Sequence, residues 1–145
     1  MSKQDEFAFF HGAYLENILK EKYRVYLCGD LATPQETLEC IYDDKLEVGT
    51  SYYSEFTADA PHYHTHATEY NFVVSGRVKL FLFDKNESYE FEQGSLYVLP
   101  PNTRYATKNA PGTQVLFIKC PGGMDKVLYE ADGPLQGWLG SWDGQ

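Results

Sequence analysis

Three of the four histidines stand at alternate positions of one short segment, as His62, His64 and His66. Alternate residues of a strand share a face, so these side chains would point the same way. Adjacent members would lie about 6.6 Å apart at Cα, and two imidazoles at that spacing can reach one metal ion at nitrogen–metal distances of about 2.1 Å. The outer two, roughly 13 Å apart, cannot easily do so. We therefore predict that one adjacent pair binds the ion, and which pair stays open.

A carboxylate follows the histidines at a short distance. Glu69 comes after a short turn and begins the next strand-like run, and a hairpin would return it to the histidine pair. Two neutral imidazoles and one carboxylate suit a divalent ion such as Fe, Mn, Ni or Zn. The predicted ligands are His62, His64, His66 and Glu69. The competing interpretation is a solvated, histidine-rich loop.

Two longer spacing patterns run through the same part of the chain. The first is His-x-His, four residues, Glu, six residues and Gly, formed by His62, His64, Glu69 and Gly76. The second is Gly, five residues, Pro-x-Asn, two residues, Tyr, three residues and Asn, formed by Gly94, Pro100, Asn102, Tyr105 and Asn109. Together they span residues 61–109, about a third of the chain. They resemble the two sequence motifs of the cupin superfamily.

Tyr105 is the residue at which the chain departs from the second motif of the superfamily. The superfamily's usual fourth ligand is a histidine at this place, and a neutral phenol with a pKa near ~10 is a poorer ligand. Three interpretations stay open: Tyr105 hydrogen-bonds a ligand or water, His66 supplies the missing nitrogen through a bent strand, or the metal binds weakly or not at all. An ordinary barrel-lining aromatic is the alternative to all three. The resemblance makes Glu69 and Tyr105 the catalytic candidates.

Strand alternation supplies further candidates for the binding pocket. Asn71 shares the face of Glu69, and Thr107 and Asn109 share the face of Tyr105. The predicted ligand-binding residues are Asn71, Tyr105, Thr107 and Asn109. Glu90, Tyr97 and Tyr52 are weaker pocket candidates, and Arg104 and Lys108 should point outward.

The elements that position these residues are short strands punctuated by Gly, Pro and Asn. Such even spacing predicts an antiparallel sandwich or barrel and argues against a parallel sheet. The resemblance specifies an all-β antiparallel double-stranded β-helix, or jelly roll.

Apolar spacing predicts a short N-terminal helix over residues 5–20. Gly76 suits a tight hairpin, and Asn102 suits a left-handed turn. We predict one domain over residues 1–145: helix and strands at 5–44, a barrel core at about 45–120, and an irregular covering segment at 121–145.

The composition limits the kinds of partner that the protein can bind. The net charge is −9, which disfavours nucleic acid and anionic membrane surfaces. The chain shows neither an apolar run long enough for a membrane span nor a signal-peptide pattern at its start, so we expect a cytoplasmic protein. Cys28, Cys40 and Cys120 lack a Cys-x-x-Cys spacing, and we expect them to fill the core.

Three functions follow from this sequence. The first is a metal-dependent enzyme on a small polar or sugar-like substrate, because the resemblance implies dioxygenases, sugar isomerases or epimerases, and decarboxylases. The alternative is a non-catalytic barrel that binds a sugar or other small ligand, with little or no metal. A structural or storage role is the weakest option. The resemblance also implies a homodimer.

Overall fold

Strands dominate the chain, as the spacing of its turn residues predicts. The computed structural model describes residues 5–145. Within that range the elements are α1 (Gly12–Glu21), β1 (Arg24–Gly29), β2 (Ile41–Tyr42), β3 (Glu47–Tyr53), β4 (Thr57–Ala58), β5 (His62–His64), β6 (Thr68–Ser75), β7 (Arg77–Leu82), β8 (Glu87–Glu92), β9 (Leu96–Leu99), β10 (Tyr105–Asn109), β11 (Thr113–Cys120), β12 (Lys126–Leu128) and α2 (Gly133–Leu139). Neither helix of this range is long and apolar enough to cross a membrane.

The strands form two sheets that face each other. One has the order β2-β1-β3-β11-β6-β9, and the other β12-β5-β10-β7-β8 with β4 added on β10. The pairs are antiparallel apart from β1 and β2, which run parallel over two residue pairs. This short parallel pair lies at one edge of the sheet, where the loop between β1 and β2 returns the chain in the same direction. The predicted antiparallel double-stranded β-helix is confirmed.

Side chains alternate between the barrel interior and its outer surface. Apolar inward residues of both sheets pack together in two clusters, whose buried members are Val73, Val78, Val115, Leu80, Leu99 and Tyr105. Inward residues at neighbouring positions of the same strands are polar, for instance Asn71, Thr107 and Asn109, each at most 4% exposed. The barrel thus has an apolar core and, beside it, a polar interior cavity.

The chain crosses from one sheet to the other at Gly76. β6 pairs with β11 and β9, whereas β7 pairs with β10 and β8. The predicted hairpin at Gly76 was therefore wrong. Gly76 has φ +78°, and a Cβ there would lie 2.5 Å from the Cα of Thr113, so the crossing needs a residue without a side chain. Asn102 adopts φ +63°, and its left-handed conformation is confirmed.

Helix α1 covers part of the outer face of the first sheet. Its Leu19 packs with Val25 of β1 and with Leu38. The helix is shorter than predicted and begins at Gly12, with His11 exposed as its N-cap. Glycine is a poor residue for a helix interior, which fits its place at the helix start.

The segment after β11 was expected to be irregular, but it contains β12, which joins the edge of the second sheet, and α2. Helix α2 and the residues after it lie over the outer face of that sheet. Lys108 points away from the barrel interior, as predicted, and yet is fully buried beneath this segment. Its ammonium donates to the backbone oxygens of Trp138, Ser141 and Gly144 at 2.6, 2.9 and 3.1 Å. The lysine therefore fastens the C-terminal segment to β10.

The three thiols are less buried than expected. Cys28 and Cys40 are partly buried, and Cys120 is exposed. The prediction that Cys120 fills the core was wrong, because its side chain alternates outward at the end of β11. Burial raises the pKa of Cys40 to about 11, so this thiol stays protonated near neutral pH.

Candidate metal centre

Two histidines enter the cavity from β5. His62 and His64 are both buried, at 9% and 7% exposure, and their ring centroids lie 5.2 Å apart. Tyr63 between them faces the other way, as the alternation of a strand requires. Of the two adjacent pairs, the structure brings His62 and His64 together inside the barrel.

Glu69 completes the cluster from the opposite sheet. Ligand atoms of His62, His64 and Glu69 all lie within 4.8 Å of one another, and His64 Nε2 is 3.0 Å from Glu69 Oε2. The expected hairpin was wrong, because β5 and β6 belong to different sheets. The carboxylate meets the histidines across the barrel interior instead.

His62 is held as a neutral imidazole. Its Nδ1 lies 2.8 Å from the backbone oxygen of Ala60 and so carries the proton, which leaves the Nε2 lone pair free. Tyr105 Oη donates to that nitrogen at 2.6 Å. Burial lowers the pKa of His62, while burial and the charge of Glu69 raise the pKa of Tyr105 well above its usual value. At neutral pH this is a buried pair of uncharged groups.

His64 has a carboxylate partner that the sequence analysis missed. Asp125, just before β12, accepts from His64 Nδ1 at 2.8 Å through Oδ1. Its Oδ2 accepts from the backbone N–H groups of His66 and Ala67 at 3.0 and 2.8 Å. Burial would raise the pKa of Asp125, but these hydrogen bonds outweigh it and lower the pKa well below the usual value. Asp125 therefore fixes both the ring of His64 and the turn after it.

The donor set at His64 and Glu69 fits a divalent ion. Because Nδ1 donates to Asp125, a neutral His64 turns its Nε2 lone pair toward the Glu69 oxygen 3.0 Å away. Two lone pairs at that distance repel unless a cation lies between them, either a proton or a metal ion that both atoms bind. Two ligands at right angles, each about 2.1 Å from an ion, have this separation.

Protonation is the alternative to a metal at the same place. Burial would lower the pKa of His64, but hydrogen bonds to Glu69 and Asp125 raise it overall. Burial would likewise raise the pKa of Glu69, but the contact with His64 lowers it. The cluster thus stabilises positive charge at this point, whether a proton or an ion carries it.

A second polar cluster lies on the same cavity wall and centres on Asp59. Its Oδ2 accepts from Thr107 Oγ1 at 2.7 Å and from Asn109 Nδ2 at 3.1 Å. Its Oδ1 is 3.3 Å from Tyr53 Oη, a long hydrogen bond that leaves accepting capacity. Thr107 and Asn109 were expected to bind a ligand directly, whereas here they hold a carboxylate. No sequence motif pointed to Asp59.

Asn71 faces the same space. It is buried, and within residues 5–145 its Nδ2 makes no hydrogen bond of ordinary length, although it lies close enough to Glu69 to help lower the pKa of that carboxyl. A buried amide without a partner costs about 1–3 kcal/mol, so this N–H is a donor that a water or ligand oxygen would satisfy.

These groups line one cavity of about 1200 Å³. The lining includes Tyr97 and Tyr52, as predicted, together with Arg24 and Lys126. Glu90 was wrongly expected there: it lies on the outer face of β8 and pairs with Arg77. Such a volume is ample for a small polar molecule.

The remaining histidines lie apart from the cluster. His66 is exposed, and its backbone rather than its ring takes part, through the bond to Asp125. The structure therefore does not bring the His66 ring to the cluster, where one interpretation had it supply the nitrogen that the chain lacks at Tyr105. His11 lies at the start of α1.

Fold and site together define a small double-stranded β-helix barrel whose interior carries a two-histidine, one-carboxylate cluster. The chain matches the cupin domain family over residues 46–118, half of its length. It belongs to that family. None of the curated proteins compared with the chain matches it.

Solved structures share the barrel at low sequence identity. KdgF from Halomonas sp. is 20% identical with a TM-score of 0.53, over 59% of this chain and 77% of that one. Streptomyces Pac13, described as a nucleoside dehydratase, is 18% identical with a TM-score of 0.53, over 61% and 71%. A chain from the structures of the DMSP lyases RdDddP and RnDddQII is 20% identical with a TM-score of 0.57, over 74% and 52%. Likeness at this level concerns the fold.

Proposed function

We propose that this protein is a metal-dependent enzyme that transfers protons on a small polar substrate inside the barrel, in an elimination or an isomerisation. The observation that carries the proposal is the His62, His64 and Glu69 cluster, whose ligand atoms lie within 4.8 Å of one another in a polar cavity. A divalent ion held by these three residues would supply Lewis acidity to a substrate oxygen. Dioxygenase chemistry would use the same ligands but leaves the groups described next without a role.

Tyr105 is the proposed proton donor. Its hydroxyl is buried and protonated at neutral pH, because burial raises its pKa, and it already donates to His62 at 2.6 Å. A phenol whose hydrogen bond is directed into the cavity can turn to a substrate oxygen and stabilise charge that develops there. The tyrosine thus takes the place of the usual fourth ligand as an acid.

Asp59 and Asn71 supply the other polar contacts of the mechanism. Asp59 Oδ1 retains accepting capacity for a substrate hydroxyl or a proton, and Asn71 Nδ2 offers an unused donor among the described residues. Proton transfer needs a second carboxylate or base beside the cluster. Asp59, which lines the same cavity, supplies that carboxylate. Similar folds named as a dehydratase and as lyases, both enzymes of elimination, add support to this class.

The metal content of purified protein tests the proposal. We expect untagged protein to hold about one divalent ion per chain by elemental analysis, and His64→Ala to lose it. The control is His66→Ala, which removes the exposed third histidine and should keep the ion. A wild-type protein that contains no metal and takes none up on incubation would contradict the proposal, as would loss of the metal in His66→Ala alone.

A metal-free binding barrel is the second candidate. One observation in its favour is the hydrogen bond from Tyr105 Oη to His62 Nε2 at 2.6 Å, which uses the lone pair that a metal would need. Another is the raised pKa of His64, because a proton on this ring can take the place of a metal ion beside Glu69. In that case ligand affinity survives treatment with a chelator, whereas the enzyme loses its activity. A homodimer, as the resemblance implies, is compatible with either function.

A further inference from the structure

Arg24 is a positive charge inside the barrel of an acidic protein. It begins β1 and lies opposite Ser51 of β3. Its neighbour Val25 is fully buried on the other face of the sheet, beneath α1. Alternation therefore turns Arg24 inward, and it lines the cavity together with the metal-binding cluster.

Neutral groups fix the guanidinium in place. Its Nε donates to Ser51 Oγ at 3.0 Å, and the rings of Tyr23 and Phe117 lie 5.5 and 5.7 Å from its central carbon. Hydroxyl and ring contacts orient the planar fork but do not neutralise its charge. Burial would lower the pKa of Arg24, but Tyr53, which hydrogen-bonds the guanidinium, and the charge of Asp59 raise it overall. Asp59 is itself held by Thr107 and Asn109.

A second cation reaches the cavity from the opposite sheet. Lys126 of β12 is the cross-strand partner of the inward-facing His64 and lines the cavity. Burial and then the charge of Arg24 lower the pKa of Lys126, and the opposing charges of Asp59 and Glu69 do not offset them, so the two cations repel each other across the cavity. An anion between them would relieve that repulsion.

We propose that the ligand of this cavity carries a carboxylate group, which Arg24 binds through its guanidinium and Lys126 supports from the cavity mouth. Arginine is the side chain best matched to a carboxylate, because its parallel N–H groups can donate to both oxygens. The proposal rests on the proposed function for the location of the reacting site. It adds the chemical class of the substrate: a small hydroxy or sugar acid in place of a neutral sugar.

Paired probes that differ in one group test this. D-glucuronate and D-glucose, and likewise lactate and 1,2-propanediol, are titrated into the protein by calorimetry and by NMR of the arginine side-chain N–H signals. We expect the acid of each pair to bind at least tenfold more tightly than its neutral partner and to shift the Arg24 signal. Arg24→Gln should weaken binding of the acids by roughly 10- to 100-fold and leave the neutral probes unchanged.

Two further variants make the result specific. Arg24→Lys keeps the positive charge but lacks the parallel N–H groups of arginine. Its affinity for the acids should therefore fall between those of wild type and Arg24→Gln, and it replaces Arg24→Gln as the test if that variant does not fold. Arg77→Gln, which removes an exposed arginine from the outer face of β7, should bind every probe as wild type does. No preference for the acids in wild type, or an intact preference in Arg24→Gln, overturns the proposal. Acid-selective binding by protein that takes up no metal would instead defeat the proposed enzyme and leave this assignment standing.

Discussion

At the scale of single residues, the cluster depends on how each imidazole is oriented. His62 is set by one backbone oxygen, that of Ala60, whereas His64 is set by the Asp125 carboxylate. A group that fixes the tautomer and ring plane of a metal-binding histidine raises its basicity and its affinity for the ion. Asp125 is therefore a positioning residue, since it reaches the proposed ion through His64.

Asp125→Asn should weaken metal binding without abolishing the fold. The amide oxygen can accept either from the two backbone N–H groups or from His64 Nδ1, but not from both sides, and the amide no longer carries the charge that supports His64. We expect metal affinity to fall about 10- to 100-fold, measured by competition with a chromogenic chelator. Asp84→Asn, which alters an exposed carboxylate paired with Arg104, is the control. Equal affinities in wild type and Asp125→Asn would show that His64 needs no such support.

Residues close together in sequence were predictable, and residues that meet through the fold were not. His62, His64 and Glu69 were predicted as ligands because strand periodicity and family spacing pointed to the same positions, and the structure brings them together. Asp125 went unnoticed because it lies 61 residues from His64 and its own surroundings carry no motif. Only the pairing of β12 with β5 places it at the cluster. Asp59 is close to His62 in sequence but belongs to no motif, and its partners Thr107 and Asn109 lie 48 and 50 residues away.

At the scale of elements, the crossing at Gly76 shows where local reasoning failed. A glycine between two strands usually predicts a hairpin. Here Thr113 at the start of β11 occupies the corner, and its hydroxyl exchanges hydrogen bonds with the backbone of Arg77, both at 3.0 Å. This long-range contact with Thr113 determines where the chain crosses between the sheets, and no sequence pattern within β6 or β7 indicates it.

Gly76→Ala should destabilise the protein strongly. The new Cβ would meet Thr113 atoms at 2.3 and 2.5 Å in a left-handed conformation. We expect a loss of roughly 2–5 kcal/mol in the free energy of unfolding, measured by urea denaturation.

Gly94→Ala separates strain from crowding. Gly94 also has a positive φ, but a Cβ there meets nothing within 4 Å. This control should cost only about 1 kcal/mol. Similar losses in the two variants would mean that backbone strain alone explains the glycine at position 76.

At the scale of the whole molecule, the outer faces of the two sheets differ in how much of each is covered. The C-terminal segment covers the second sheet through Lys108, and α1 covers only the β1 side of the first sheet. Beyond the helix, exposed apolar side chains of β6 and β9 form one patch, defined here as Tyr70, Phe72, Val74, Leu96 and Val98. Patches of this kind mark interaction surfaces.

A homodimer through this patch is the expected assembly. Light scattering should give wild-type protein twice the chain mass of 16.6 kDa. Phe72→Glu should shift it to monomer, because the interface would bury an unpaired carboxylate. Tyr14→Glu, an exposed aromatic on α1, should stay dimeric. Wild-type protein that runs as a monomer at all concentrations would refute this assembly.

The tie between Asp125 and His64 also bears on the order of events during synthesis. The ribosome makes His62, His64 and Glu69 long before Asp125, which follows every strand of the barrel core. Until that aspartate emerges, His64 and the turn after β5 lack their common anchor. β11 ends at Cys120, just before Asp125, so a nascent chain would complete its barrel and the anchor of the proposed metal site almost together, and neither exists before the other.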